Sequence, residues 1–417
     1  MIEPVITSQI GGYLFSWADT ELSVKIGRLT VHSDGDVTGN LQITNSSKEN
    51  PVILLPTSKI NFSAERTRSQ FAKQLTTKYP QSDIDFVELF DYLGHKIQEL
   101  AISGGEVVEV WAEDDAPPPE YLLKPLIIKG VPNVIYGEKG VNKSTLCYAI
   151  GACMALPWDD NPLELEVGRE PIKSLVLDWE TDESIFRWYL SRMRKGMNLD
   201  TFLLFYRRCV LPLADELEAI EQYLSETGAE VIIIDSLAAA AGGEGSELKG
   251  SQSALQFNSA LRKLNKTSLI VAQTSKPSDN QPAKHKTIYG STLFTYYSRN
   301  IFELCRNEED YSDTSHLALF HRECNFARKS QPMGFELVFD DAQKSISITR
   351  EPISFSEFGQ KLNTQSRVLD ALKSGAMTVK DLTSLLDVSE NSVRIAITRL
   401  SKQRKVIKVD KAWGLSL

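Results

Sequence analysis

Residues 137–145 read Gly-Glu-Lys-Gly-Val-Asn-Lys-Ser-Thr, a glycine-punctuated loop closed by a lysine and two hydroxyl residues. That pattern is a device for holding phosphates: the loop turns backbone N–H groups inward, and a helix beginning at its end favours anions. Gly137, Glu138, Lys139, Gly140, Val141 and Asn142 would form the cradle, with Thr145 completing it. Lys143 would reach the β- and γ-phosphates of ATP, and the Ser144 hydroxyl would ligate Mg²⁺. Asn142 stands where the second glycine of the pattern belongs; Asn is the non-glycine residue that most readily takes positive φ, so the loop can still close.

Such a site needs a metal-side carboxylate and a group that activates water. Val231-Ile-Ile-Ile-Asp235 is an apolar, β-branched run ending in a carboxylate at the strand edge where open α/β sheets bind ligands. Ser174-Leu-Val-Leu-Asp178-Trp-Glu180-Thr-Asp182 ends a second strand with three carboxylates. Strand alternation puts Asp178 and Glu180 on one face, and Glu180, nearer the edge, is the candidate base. The same residues have plainer uses: Asp235 as a helix cap, Thr181 to Ser184 as the start of a helix.

These residues require strands and helices in a fixed order. From Pro125 onward short apolar runs at 133–136, 174–179, 203–206, 231–234, 268–272, 298–304 and 317–321 alternate with amphipathic stretches, the pattern of parallel strands with helical crossovers. Ahead of them, alternating segments at 22–31 and 40–44 flank a polar turn, and helical spacing follows at 63–76 and 84–100. The acidic, proline-rich stretch at 113–120 marks a boundary. The fold class expected is α/β, a P-loop core with a parallel sheet, flanked by an N-terminal α+β module and a C-terminal helical module. The divisions are 1–111, a linker at 112–120, a core at 121–350, a linker at 351–363 and a final domain at 364–417.

The four motifs at 137–145, 175–181, 232–237 and 269–276 resemble, in this order, the RecA-like ATPases of the RepA and DnaB kind, hexameric replicative helicases and their relatives; Gly290-Ser291 ahead of Arg299 also fits. The resemblance covers about residues 121–345. It implies ATP hydrolysis with Glu180 as the base for water and Asp235 as the Mg²⁺-side carboxylate. Gln273 resembles the γ-phosphate sensor, although several RepA-like relatives carry a His pair where Ala272-Gln273 stands here. Arg328 and Lys329, ranked above Arg322, lie where the family has the basic residues that a neighbouring subunit supplies, so a homo-oligomeric ring, a hexamer, is implied. The resemblance further implies a helicase or helicase-like replication protein of a plasmid, phage or other mobile element, with an ATP-gated DNA-binding regulator or loader as the alternative.

Two Gly- or Pro-punctuated segments follow the Asp235 and Gln273 strands, at 241–250 and 276–286. Lys276, Lys284 and Lys286 in the second are candidates for phosphates of single-stranded DNA in a central channel. At the C-terminus, helical spacing from Ser366, a capping box at Thr378 to Asp381 and a cap at Ser389 open three helices, and 406–415 reads as a hairpin. The order resembles a winged helix-turn-helix, with Ser392, Arg394, Arg399, Lys402 and the wing residue Lys411 as candidate contacts to duplex DNA.

Composition limits the alternatives. The 417 residues are 42% hydrophobic and 24% charged, as in ordinary globular proteins, and no apolar run approaches the roughly 20 residues a membrane helix needs. No secretory pattern opens the chain, so a cytoplasmic location is expected. Five scattered cysteines suggest neither disulfides nor a zinc site. The net charge of −9 excludes a uniformly basic nucleic-acid binder. From Lys361 onward, however, eleven Lys and Arg face five Asp and Glu, so this segment carries +6 and the preceding 360 residues −15. The acidic N-terminal module is a candidate for a protein partner.

Overall fold

The computed structural model of the chain describes residues 3–9, 12–32, 35–45, 51–102, 109–112, 115, 117–156, 158–168, 170–242, 251–274, 287–307, 313–353, 358 and 364–416. Two compact units result, one of Met1–Pro118 with Leu211–Gly228 and Ser259–Asn265, the other of Pro119–Val210, Ala229–Asn258 and Lys266–Leu417. Among the described residues no helix is long and apolar enough to cross a membrane.

In the first unit β1 (Val5–Gln9), β2 (Gly12–Trp17), β3 (Leu22–Val31), β4 (Val37–Asn45) and β5 (Val52–Asn61) pair antiparallel in sequence order. Alternation in β4 buries Val37, Leu41 and Ile43 against helices α1 (Glu65–Lys78) and α2 (Phe86–Ile102). In α2 the helical spacing of Phe86, Leu89, Phe90, Leu93 and Ile97 supplies the other side of that core. The sequence pattern marked only β3 and part of β4. β5 escapes it because Pro56 interrupts an edge strand whose register with β4 shifts twice.

The second unit opens with β6 (Tyr121–Lys124) and β7 (Ile127–Ile128), which join β9 (Glu166–Val167) in a small sheet. Among the described residues its main sheet has nine strands. Six run parallel in the order β11 (Phe205–Arg208), β10 (Ser174–Asp178), β12 (Val231–Asp235), β13 (Thr267–Gln273), β8 (Pro132–Gly137), β14 (Asn300–Arg306). Three more, β15 (Thr314–Cys324), β16 (Met333–Asp340) and β17 (Ser345–Glu351), extend it antiparallel. β10 and β12 are buried along their whole length, which is why they read as unbroken apolar runs rather than alternating ones.

The connections supply the helices α3 (Lys143–Ala155), α4 (Glu183–Gly196), α5 (Leu217–Thr227), α6 (Leu237–Ala240), α7 (Ser251–Leu264) and α8 (Thr292–Tyr297). α3 is apolar on nearly every face and lies buried in the core, packed with Ile135, Val176, Ile233 and Leu269 of the strands. α4 is amphipathic; Asp182 caps it by accepting from the Ser184 and Ile185 amides at 2.9 and 3.0 Å. Two expected strands are displaced: β11 begins two residues later than 203–206, leaving Leu203 exposed, and β14 begins only after Ser298 has ended α8. β16 and β17 were not anticipated. β17 is an edge strand with a half-exposed face, so it lacks the dense apolar signature of the parallel strands.

The C-terminal part holds α9 (Thr364–Ala371), α10 (Val379–Leu386), α11 (Glu390–Lys402) and a hairpin of β18 (Val406–Val409) and β19 (Ala412–Leu415) around a core of Val368, Leu382, Val393, Ile397, Leu400 and Val406. The Thr378/Asp381 capping box and the Ser389 cap form as the sequence pattern requires.

Candidate nucleotide-binding site

Gly137 ends β8, and Gln273 of β13 and Leu304 of β14 stand in register on either side of it. A Cβ at Gly137 would lie 2.4 Å from the Leu304 carbonyl oxygen, so only glycine lets β14 approach. The loop then turns through Gly140 at φ +84° and Asn142 at φ +59°, ψ +35°. Asn142 therefore takes the left-handed conformation that the missing glycine would have taken, and α3 starts at the next residue.

Lys143 is buried, with Nζ donating to the carbonyls of Gly137 at 3.1 Å and Glu138 at 2.6 Å. Burial depresses its pKa, while the carboxylates of Asp235 and Glu180 act in the opposite sense. The ammonium is thus stored on the loop's own oxygens, beside two negative groups. Glu138 is half-buried, Lys139 and Gly140 exposed, Val141 and Thr145 buried.

Asp235 ends β12, is almost fully buried, and its pKa is pushed up to about 6. Burial is the main cause; hydrogen bonds from Ser144 and Tyr148 oppose it, and the neighbouring carboxylates Glu180 and Asp178 add to it. A carboxylate made costly by burial and by its like-charged neighbours is one that a divalent cation would stabilise. The residues present fit Mg²⁺·ATP: Ser144 and Asp235 already meet, and Lys143 stands at the loop.

Glu180 is not placed by strand alternation, contrary to expectation, because β10 stops at Asp178. Asp178 does the placing instead. Its Oδ1 accepts from the amides of Glu180 at 2.8 Å and Thr181 at 3.0 Å, and its Oδ2 takes the Thr181 hydroxyl. This turn swings the exposed Glu180 side chain towards β12, where the Ser236 hydroxyl donates to its Oε1 at 2.5 Å. β10 and β12 pair with Asp178 level with Asp235, so both carboxylate turns emerge at one height.

Gln273 is exposed at the end of β13, beside Gly137, with its backbone carbonyl accepting from Tyr289. Arg328 and Lys329 are exposed in the connection from β15 to β16. That connection is pinned at its base: His321 Nδ1 accepts from the Ser330 amide at 2.8 Å. His321 stacks on Phe302 at 4.2 Å, and burial lowers its pKa to about 4. Arg322 is held by Glu303, Nη2 to Oε2 at 2.5 Å, and lies over the Phe320 ring. Lys276, Lys284 and Lys286, with most of the 241–250 segment, lie outside the described residues.

On α11 Arg394, Arg399 and Lys402 are exposed, and Arg394 pairs with Glu390 at 2.5 Å. Ser392 is half-buried, its hydroxyl 2.8 Å from that of Ser389, and Lys411 is exposed between β18 and β19. One separate group among the described residues, His316, Glu336 and Glu351, brings its ligand atoms within 4.8 Å, with His316 Nδ1 2.9 Å from a Glu351 oxygen.

Sequence reasoning passed over Tyr148, Ser236 and the placing role of Asp178. Tyr148 left a signal, a polar-tipped aromatic one helical turn beyond Ser144 on an otherwise apolar helix.

The AAA domain family matches residues 99–279, a span that includes the phosphate loop, Glu180, Asp235 and Gln273. No curated protein matches the chain. Among solved structures, a KaiC-like protein from the hyperthermophilic archaeon Pyrococcus horikoshii OT3 is similar with a TM-score of 0.38 and 15% identity, covering 56% of this chain and 96% of that one. The parallel sheet, the phosphate loop and the AAA-domain match together support a P-loop ATPase core.

Proposed function

We propose that this chain hydrolyses ATP with Mg²⁺ and uses the cycle to act on DNA, as a helicase or helicase-like replication protein of a mobile element. The observation that carries the reading is the convergence of Lys143, Ser144, Asp235 and Glu180 at one edge of the parallel sheet. Bound there, Mg²⁺ would supply electrostatic stabilisation of the transferred phosphoryl group, held by Ser144 and Asp235. Lys143 exchanges the Gly137 and Glu138 carbonyls for phosphate oxygens. Glu180 accepts at Oε1 or Oε2 the proton that the attacking water gives up. Gln273, next to Gly137, senses the phosphate.

Arg328 and Lys329, unburied and on a pinned connection, are suited to reach a neighbouring subunit of a ring, a hexamer on this reading. Lys276, Lys284 and Lys286 are assigned to single-stranded DNA in its channel. The winged-helix reading of 364–417 assigns Ser392, Arg394, Arg399, Lys402 and Lys411 to duplex DNA, and the module at 1–111 to a protein partner. The exposed basic side chains of α11 also favour the second reading, an ATP-gated duplex-binding regulator that does not unwind.

Steady-state ATP hydrolysis by the wild type and Lys143→Ala, alone, with single-stranded DNA and with duplex DNA, separates the two. Stimulation by single strands that the variant loses is the expected result. Turnover indifferent to single strands despite tight duplex binding would establish the regulator, and no turnover under any condition would remove the ATPase reading.

A further inference from the structure

The hydroxyl of Tyr148 donates to Asp235 Oδ2 at 3.3 Å, and both groups are buried. Tyr148 lies four residues after Ser144, so the two side chains share one face of α3 and both meet the same carboxylate. We propose, resting on the nucleotide-site reading, that Tyr148 is a positioning residue: it fixes one oxygen of Asp235 so that the carboxylate keeps the orientation in which it and Ser144 receive Mg²⁺.

The ring that carries this hydroxyl is clamped. Phe186 of α4 meets it edge-on at a centroid distance of 5.3 Å, and Tyr189 does so at 6.4 Å. Phe186 in turn stacks on Tyr206 at 4.4 Å, and the Tyr206 hydroxyl donates to the Thr181 carbonyl at 3.1 Å. Thr181 belongs to the turn that Asp178 closes around Glu180. One run of aromatic rings therefore spans from the metal-side carboxylate to the turn bearing the base. The buried ring thus presents its hydroxyl to Asp235 from a fixed position. A carboxylate ligand whose second oxygen is tied by a fixed donor loses less freedom when a cation arrives, and loss of such partners typically costs 10–100-fold in metal affinity.

Tyr148→Phe keeps the ring packing and removes only the hydroxyl. In the full chain, affinity for a fluorescent mant-ATP is measured in EDTA and across a Mg²⁺ titration, alongside a thermal melt and the dependence of kcat on Mg²⁺. The expected result is unchanged affinity in EDTA and a rise of roughly tenfold in the Mg²⁺ concentration for half-maximal effect on binding. A companion variant, Phe186→Leu, leaves the hydroxyl but loosens its ring, and a smaller rise is expected. If Tyr148→Phe melts at a lower temperature yet follows the wild-type Mg²⁺ titration, the tyrosine is packing only and the proposal is overturned. It is equally overturned if Tyr148→Phe does not fold and Phe186→Leu leaves the titration unmoved. Wild-type protein that binds no mant-ATP with or without Mg²⁺ would overturn the nucleotide site itself, a failure the wild-type curve alone reveals.

Discussion

The Ser236 hydroxyl donates to Glu180 Oε1 at 2.5 Å, so the residue that follows Asp235, the candidate metal-side carboxylate, holds the candidate base. Because Asp178 and Asp235 are level in adjacent parallel strands, this side-chain bond joins two turns whose backbones already rise together. The spacing between Glu180 and Asp235 is therefore set by neighbouring strands.

Glu180→Gln retains the shape and can still accept the Ser236 bond, but it cannot take a proton. ATP hydrolysis is expected to fall by about 10²–10⁴-fold while nucleotide affinity changes little, the loss typical of a deleted general base. Ser236→Ala should lower kcat roughly tenfold through misplacement. Near-wild-type turnover of Glu180→Gln in a coupled assay would move the base elsewhere.

Asn142 bears a positive φ at the root of α3. Asn142→Gly fits that conformation, so hydrolysis should be preserved or raised. Asn142→Val should be destabilised by about 1–2 kcal/mol in urea unfolding, since a β-branched residue is strained there. A large loss of activity with glycine would reveal a contact made by the Asn142 amide.

The pKa of Asp235, about 6 in the folded chain, lies above its ordinary value of 3.8. The folded state thus holds this proton more tightly than the unfolded one. The stability it contributes is complete below pH ~4 and is lost as pH rises through about 6, on the order of 2–3 kcal/mol. Asp235→Asn should therefore raise the melting temperature of the nucleotide-free protein at pH 7.5 and abolish turnover. A variant that melts below the wild type at pH 7.5 would show that the buried carboxylate is already compensated. Mg²⁺ dependence of turnover should also worsen as pH falls below 6.

His321 works in the opposite sense. Its folded pKa of about 4 lies below the ordinary 6.5, so the unfolded chain takes the proton first and stability is lost as pH falls from ~6.5 to ~4. His321→Gln should flatten that acid slope in a series of melts. It should also raise hydrogen exchange at Ser330, whose amide His321 accepts. Unchanged exchange would mean the connection bearing Arg328 and Lys329 is held by other contacts.

The shape of the loop at 137–142 was legible because it depends on local sequence: a strand, a turn demanding positive φ at 142, and a helix. Asp235 was legible because a strand buried on both faces announces itself as an apolar run with a polar end. The placing of Glu180 was not, since it depends on an Asx turn and on a serine 56 residues further along the chain. Tyr148 hid in an apolar helix, where a phenol reads as core until its hydroxyl is seen to face a carboxylate. β5 and β17 were missed for a common reason: edge strands need only half an apolar pattern, and Pro56 erases part of that in β5.

Gly137 stands between Gln273 and Leu304, one strand on each side, close enough that a single methyl group would break the fit. The base of the phosphate loop is consequently a fixed point, like the fulcrum of a lever. If a nucleotide binds here, adjustment of the loop falls to the short arc from Glu138 to Asn142, because β8 is paired on both sides, with β13 and β14. Those two strands lead to different ends, one to Gln273 and the segment that follows it, the other through β15 to the basic connection at Arg328. The absence of a side chain at residue 137 is what lets β14 lie this close to the base of the loop.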